Sequence, residues 1–230
     1  DTTQSSGNRN RDCTSTVCLS IENVDTDAGT LDIYMTNQAG CSYCTDPLYP
    51  DQNLCESYGN DGSGDASWVF YSSMTETECE DAAGEWFNGE VGGFQFQLTS
   101  INVTGASGGS SADYSFLQIT NGNDVPSGLS KVIGYPTTTT PIPIGADILL
   151  IQITFNDFDG IGICFGDDTG SAGFNTISND IGGYIAANWG DCYCDSAAPA
   201  DCAGVCDGTA VLGGCDNACN STAEEDCAGV

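Results

Sequence analysis

Hydrophobic and polar residues alternate along much of this chain with a period of two. From Gly29 to Thr36, Leu31, Ile33 and Met35 alternate with Asp32, Tyr34 and Thr36, which predicts a strand with one buried face. Phe94 to Thr99 repeats the pattern as Phe-Gln-Phe-Gln-Leu-Thr. Ile148 to Phe155 reads as a central strand that turns Leu149, Ile151, Ile153 and Phe155 inward. The pattern is already β from Cys18, and shorter strands are predicted over Tyr114 to Thr120, Lys131 to Tyr135, Gly162 to Phe165 and Gly183 to Asn188. Turn-forming clusters at Asp27-Ala28-Gly29, 105–109, Pro126-Ser127-Gly128 and 157–160 separate them. Helical periodicity is nearly absent. The exception is Thr75 followed by Glu78, a capping-box spacing that predicts a short helix from Glu76 to Ala83. Short strands at this spacing predict an all-β chain folded as an antiparallel β-sandwich.

Three segments break the pattern. Residues 1–17 form a polar arm rich in Ser, Thr and Asn, closed by Cys13 and Cys18. With no large apolar side chain from Asp1 to Thr16, this arm is a poor strand donor for another subunit's core. Residues 41–87 interrupt the sandwich (18–192) as an insertion holding Cys41, Cys44, Cys55 and Cys79. Within it a Cys-Glu turn precedes Trp68, and a second precedes Trp86. A lobe this small cannot bury enough apolar surface without covalent staples. Residues 193–230 form a cysteine-rich, loop-dominated tail in which Asp201-Cys202-Ala203-Gly204-Val205 returns as Asp226-Cys227-Ala228-Gly229-Val230. The echo at an offset of 25 residues predicts a repeat array that runs on beyond this sequence.

The chain carries 14 cysteines in 230 residues and no histidine. A four-thiolate zinc site from Cys41, Cys44, Cys55 and Cys79 is possible on paper, but the second pair's spacing does not fit a zinc ribbon. Disulfides formed in an oxidising compartment are the stronger reading. Inside the insertion the expected pairs are Cys55–Cys79 and Cys41–Cys44. Cys164, in a late strand, is expected to bond Cys192 just after the last one. No signal-peptide pattern stands at the start, so Asp1 reads as a mature N-terminus. No apolar run approaches the ~18 residues of a membrane span.

Charge narrows the partners. Asp and Glu total 33 against 3 Lys and Arg, a net charge of −30. That surface excludes phosphate-backbone binding and argues against docking on anionic lipid, so neither nucleic acid nor membrane insertion is expected. It suits a salty or calcium-rich extracellular medium, where screening or divalent cations neutralise it.

The segments 30–37, Val91-Gly92-Gly93-Phe94-Gln95-Phe96-Gln97-Leu98 and 148–155 together resemble a cohesin-like sandwich. That resemblance implies a jelly-roll arrangement over about residues 18–40 and 88–192 and points to the same Cys164–Cys192 bond. The tail resembles the Asp-Cys-x-Gly-Val-Cys repeats of large secreted microbial surface proteins. The insertion departs from a plain cohesin, so no partner-binding residues are carried over.

Catalytic chemistry is largely missing. Without histidine there is no Ser-His-Asp or Cys-His arrangement, and no Gly-x-x-x-x-Gly-Lys loop cradles phosphate. Calcium is the cofactor to test. Asp61 and Asp65 in one acidic loop, and Asp157 and Asp159 after the central strand, offer hard oxygen ligands, although none fits an EF-hand. Asn102 and Asn220 head glycosylation sequons. Trp68, Trp86 and Tyr71 could form an aromatic cluster for a sugar. The reading is a non-enzymatic extracellular structural or adhesive module, a filament or stalk subunit, whose partners are copies of itself or other surface proteins. The alternative is a calcium-dependent module that binds carbohydrate or protein.

Overall fold

The computed structural model describes residues 13–49, 52–121, 130–166, 175–213 and 218–220. The second copy of the Asp-Cys-Ala-Gly-Val echo lies outside the described residues, as does the arm from 1 to 12.

The strands in chain order are β1 (Val17–Asp25), β2 (Thr30–Asn37), β3 (Gly40–Cys44), β4 (Trp68–Tyr71), β5 (Glu85–Phe87), β6 (Val91–Leu98), β7 (Asn102–Ser107), β8 (Phe116–Asn121), β9 (Ser130–Pro136), β10 (Gly145–Asn156), β11 (Gly162–Ile163), β12 (Thr176–Asn179), β13 (Tyr184–Ile185), β14 (Ala187–Asn188), β15 (Tyr193–Cys194), β16 (Leu212–Gly213) and β17 (Ala218–Cys219). Two five-stranded sheets, ordered β14-β1-β2-β10-β7 and β13-β12-β6-β9-β8, build the sandwich. Their pairs are antiparallel apart from β1 with β14. One continuous core lies between them, with Leu31, Ile33, Ile151 and Ile153 from the first sheet and Phe94, Phe96, Leu98 and Val132 from the second. Burying each such side chain stabilises the fold by about 1.5–3 kcal/mol, which is why the alternation sets the register.

The alternation holds along β2 and fails at one place on β10. Leu31, Ile33 and Met35 are buried, as are Ile151, Ile153 and Phe155. Leu149, expected inward, pairs with Tyr34, and Leu150 is the fully buried residue instead. Between Leu149 and Ile151 the partner strand advances by one residue, from Tyr34 to Ile33. The extra residue is a β-bulge, and it rephases the strand. The turn back from β1 is fixed by Gly29, which has a φ of +67° and where a Cβ would stand 2.3 Å from the Phe155 carbonyl oxygen.

The insertion forms its own three-stranded sheet, β4-β3-β5, with two helices. Helix α1 (Gln52–Gly62) replaces the turn expected there. Its Gly, Asn, Asp and Ser content is poor for a helix. It is held instead by the Cys44–Cys55 bond and by Gly59, against which Ala66 packs so tightly that a Cβ would stand 2.2 Å away. Helix α2 (Glu76–Asp81) starts at Thr75 in the capping box that the sequence spacing indicates. The Thr75 N–H donates to the Glu78 carboxylate and holds its pKa below the usual range. A third helix, α3 (Gly109–Asp113), packs on β10.

Among the described residues six disulfides form. Cys13 bonds Cys18 at the head of β1, and Cys164 bonds Cys192 at the end of the sandwich. The insertion pairs differ from those expected: Cys41 bonds Cys79 on α2, and Cys44 bonds Cys55 on α1. Cys41 and Cys44 are an odd number of strand residues apart, so β3 turns them to opposite faces and each meets a different helix. The tail adds Cys194–Cys206 and Cys202–Cys219.

Candidate functional site

The insertion sheet sorts the aromatic residues by face. On β3, Cys41 stands opposite Tyr71 of β4 and Trp86 of β5, so these three form one cross-strand row. Tyr43 stands opposite Val69 on the same face and stacks on Tyr71 at 5.6 Å with an interplanar angle of 19°. Such an offset stack contributes about 0.5–1.5 kcal/mol beyond its area. Tyr71 is 47% exposed, so the stack reaches solvent. Burial, then the charge and hydrogen bond of the neighbouring Tyr71, push the Tyr43 phenol up.

Trp68 does not join this face. It stands opposite Cys44 and packs with Tyr49 on Cys44, Cys55 and Ala66, beneath α1. Trp68 and Tyr71 are three residues apart on one strand, and a period of two sends them to opposite sides. The expected cluster of Trp68, Trp86 and Tyr71 is therefore split, and Tyr43, absent from the sequence expectation, takes the place of Trp68. The alternation of β3 was the signal that could have found it. The glycine after α2 closes this face: a Cβ on Gly84 would stand 2.6 Å from the Cys41 Sγ.

The acidic loops are spread apart. Asp61 falls in the last turn of α1, and Asp65 lies exposed beyond it, its N–H donating to the Ser63 hydroxyl. Asp157 follows β10 in the left-handed region at φ 57°. Asp159 accepts the Ile161 N–H on Oδ1 at 2.9 Å and donates its own N–H to the Ser100 carbonyl. The Asp159 carboxylate serves the turn that holds it. Among the described residues, no group of three or more Asp, Glu or Cys side chains converges as a metal-binding set. No helix among them is long and apolar enough to cross a membrane.

Asn102 opens the edge strand β7, just beyond the end of β6 at Leu98. Its Nδ2 donates to Asn156 Oδ1 at 2.8 Å, and Thr104 shares a hydroxyl contact with Thr154 at 3.1 Å. The Asn102 Oδ1 is buried without a hydrogen-bond partner. The sequon nitrogen is thus engaged across the sheet. Asn220 follows β17, with its N–H on the Val211 carbonyl, and the rest of its sequon lies outside the described residues.

The tail is organised around one carboxylate. Asp201 Oδ1 accepts the N–H groups of Ala203 and Val205, and Oδ2 accepts that of Ala210. The Ala210, Val205 and Ala203 N–H groups hold this carboxyl below its usual range. Gly208 fits over it: a Cβ there would lie 2.0 Å from Asp201 Oδ2.

No family model matches this chain, and no curated protein matches it in sequence. Two solved structures are similar in fold. One is a chain of the crystallised CaDoc0917–CaCohA2 complex, at 11% identity and TM-score 0.38, covering 75% of this chain and 94% of that one. The other is a type II cohesin domain from the cellulosome of Acetivibrio cellulolyticus, at 13% identity and TM-score 0.32, covering 77% and 91%.

Proposed function

We propose that this chain is a non-catalytic, extracellular building block of a cysteine-rich surface protein, used in a filament or stalk and bound to further copies or to other surface proteins. The observation that carries this reading is the series of disulfides. Bonds occur at the head of β1, through the insertion, at the sandwich end and along the tail. Their number points to an oxidising compartment. Each bond keeps the loop that it closes from extending under load when the elements around it open locally. The net charge of −30 is tolerated where salt or divalent cations screen it. Negative-stain electron microscopy of the purified protein should reveal end-to-end polymers, and immunogold labelling should mark the outer cell surface. Monomers at every concentration together with intracellular label would count against it.

A second reading, glycan binding, is favoured by the half-exposed Tyr43–Tyr71 stack on the insertion. A planar aromatic pair fits a sugar face, and a strongly acidic protein favours a neutral glycan over an acidic one. A glycan array tests it, with Tyr71→Ala as the variant that should lose the signal.

A further inference from the structure

Strand β9 ends at Pro136 and β10 begins at Gly145, and the connection between them opens Thr137-Thr138-Thr139-Thr140-Pro141-Ile142-Pro143. The prolines keep this backbone extended. Each fixes its own φ at about −65° and holds the residue before it, Thr140 or Ile142, out of the helical region. Both ends of the segment are pinned to the sandwich. Ile142 is fully buried and exchanges two backbone hydrogen bonds with Val91, at 2.8 and 2.9 Å. At the other end the Thr137 N–H and hydroxyl both donate to the Ser115 carbonyl, at 3.0 and 2.7 Å. Between these pins all four threonines are exposed. Their hydroxyls are not equivalent. That of Thr137 is engaged with Ser115, and that of Thr138 accepts the Thr140 N–H at 3.4 Å. The hydroxyls of Thr139 and Thr140 have no partner among the described residues.

We propose that Thr139 and Thr140 are O-glycosylation sites, the acceptor hydroxyls for a glycosyltransferase whose donor is a sugar activated as a glycosyl phosphate. Threonine-rich segments containing proline have the composition of O-glycosylated stalks, in which an extended backbone presents its hydroxyls to the enzyme. Here the pins at Ser115 and Val91 hold such a segment on the outside of the folded sandwich, so the transferase can act on the native domain. In the reaction the threonine Oγ attacks the anomeric carbon. The bond from that carbon to the phosphate oxygen breaks, and the phosphate leaves with the electron pair. The hydroxyl proton passes to a base of the transferase, and nothing is oxidised or reduced. Sugar on either hydroxyl displaces no hydrogen bond of the fold. Phosphate on the same hydroxyls would add like charge to a chain of net charge −30, whereas a neutral sugar adds none. The proposal rests on the reading of the chain as an extracellular building block, since it needs export past a transferase.

The test takes the full chain purified from the cells that make it. Electron-transfer fragmentation of the peptide carrying 137–140 should locate a mass increase of one or more whole sugar residues on Thr139, on Thr140 or on both. Alkaline β-elimination should remove it. The double variant Thr139→Val with Thr140→Val, made in the same cells, should lose the increase and keep the thermal midpoint of the unaltered protein deglycosylated by β-elimination-free enzymatic trimming. An unmodified peptide, sugar on Thr137 or Thr138 instead, or a phosphate mass on Thr139 or Thr140 would overturn the proposal. Immunogold label at the cell surface together with an unmodified peptide would remove the glycan sites and leave the surface reading standing. Sugar on Thr139 or Thr140 together with intracellular label would do the reverse.

Discussion

The Phe94 ring lies directly over Gly134 on the neighbouring strand. The two residues pair across β6 and β9, and a Cβ on Gly134 would stand 2.2 Å from the Phe94 Cζ. Phe94 cannot yield easily, because it stacks on Phe96 and Phe116, each at 5.9 Å. Glycine at 134 is thus required by the ring that covers it, even though glycine weakens an ordinary strand.

Gly134→Ala should therefore destabilise the sandwich by about 1–3 kcal/mol, the usual cost of overpacking a filled core. Urea titration followed by near-UV circular dichroism checks this. The double variant Gly134→Ala with Phe94→Leu should recover part of the loss, which a cost due to strand propensity alone would not allow.

The insertion bonds should differ in weight. Cys41–Cys79 closes 38 residues and Cys44–Cys55 closes 11. In the chain-entropy account these correspond to about 4 and about 3 kcal/mol. Replacing Cys41 and Cys79 by Ser should lower the insertion's resistance to proteolysis more than replacing Cys44 and Cys55. A reversed order would mean that the contact of α1 with Trp68, and not loop closure, governs the lobe.

Asn175 ties three distant backbone segments together. Its Oδ1 accepts the Gln97 N–H at 2.8 Å and its Nδ2 donates to the Gly166 carbonyl. Asn175 is fully buried, so Asn175→Ala strands both groups away from water. The expected cost is about 1–3 kcal/mol for each group left unpaired. Thermal melts should show it, and exchange of the Gln97 amide should accelerate beyond that of Phe96 beside it.

How far the sequence could be read depended on the range of the force involved. Leu31, Ile33 and Met35 are placed by burial against one core, and their alternation reports it directly. Leu149 is misplaced because the bulge beside it is a property of the pairing with Tyr34 and Ile33, which the strand's own letters do not carry. β12 offers only Ile177 to the core, and its short polar neighbours leave no pattern to find. The α1 helix is created by a disulfide and by the approach of Gly59 to Ala66, so propensity gives no hint of it. Trp68 and Tyr71 are the instructive pair: their odd spacing already separates them once the segment is taken as a strand.

The tail should lose order as acid protonates one carboxylate. The Asp201 pKa is held below its unfolded value by the Ala210, Val205 and Ala203 N–H groups. A carboxyl with a lowered folded pKa contributes stability that is fully present above the unfolded value, about 3.9, and lost as pH falls through the folded one. Exchange protection at Ala203, Val205 and Ala210 should therefore fall together below about pH 4, while Ile33 and Ile153 in the sandwich stay protected. Asp201→Asn keeps one acceptor oxygen and replaces the other by a donor facing the Ala210 N–H. It should lose protection at Ala210 at neutral pH, retain it in part at Ala203 and Val205, and remove the acid transition from all three. If the transition persists in Asp201→Asn, another carboxylate governs the turn, and Asp207 beside the Ala198 carbonyl would be the next to replace.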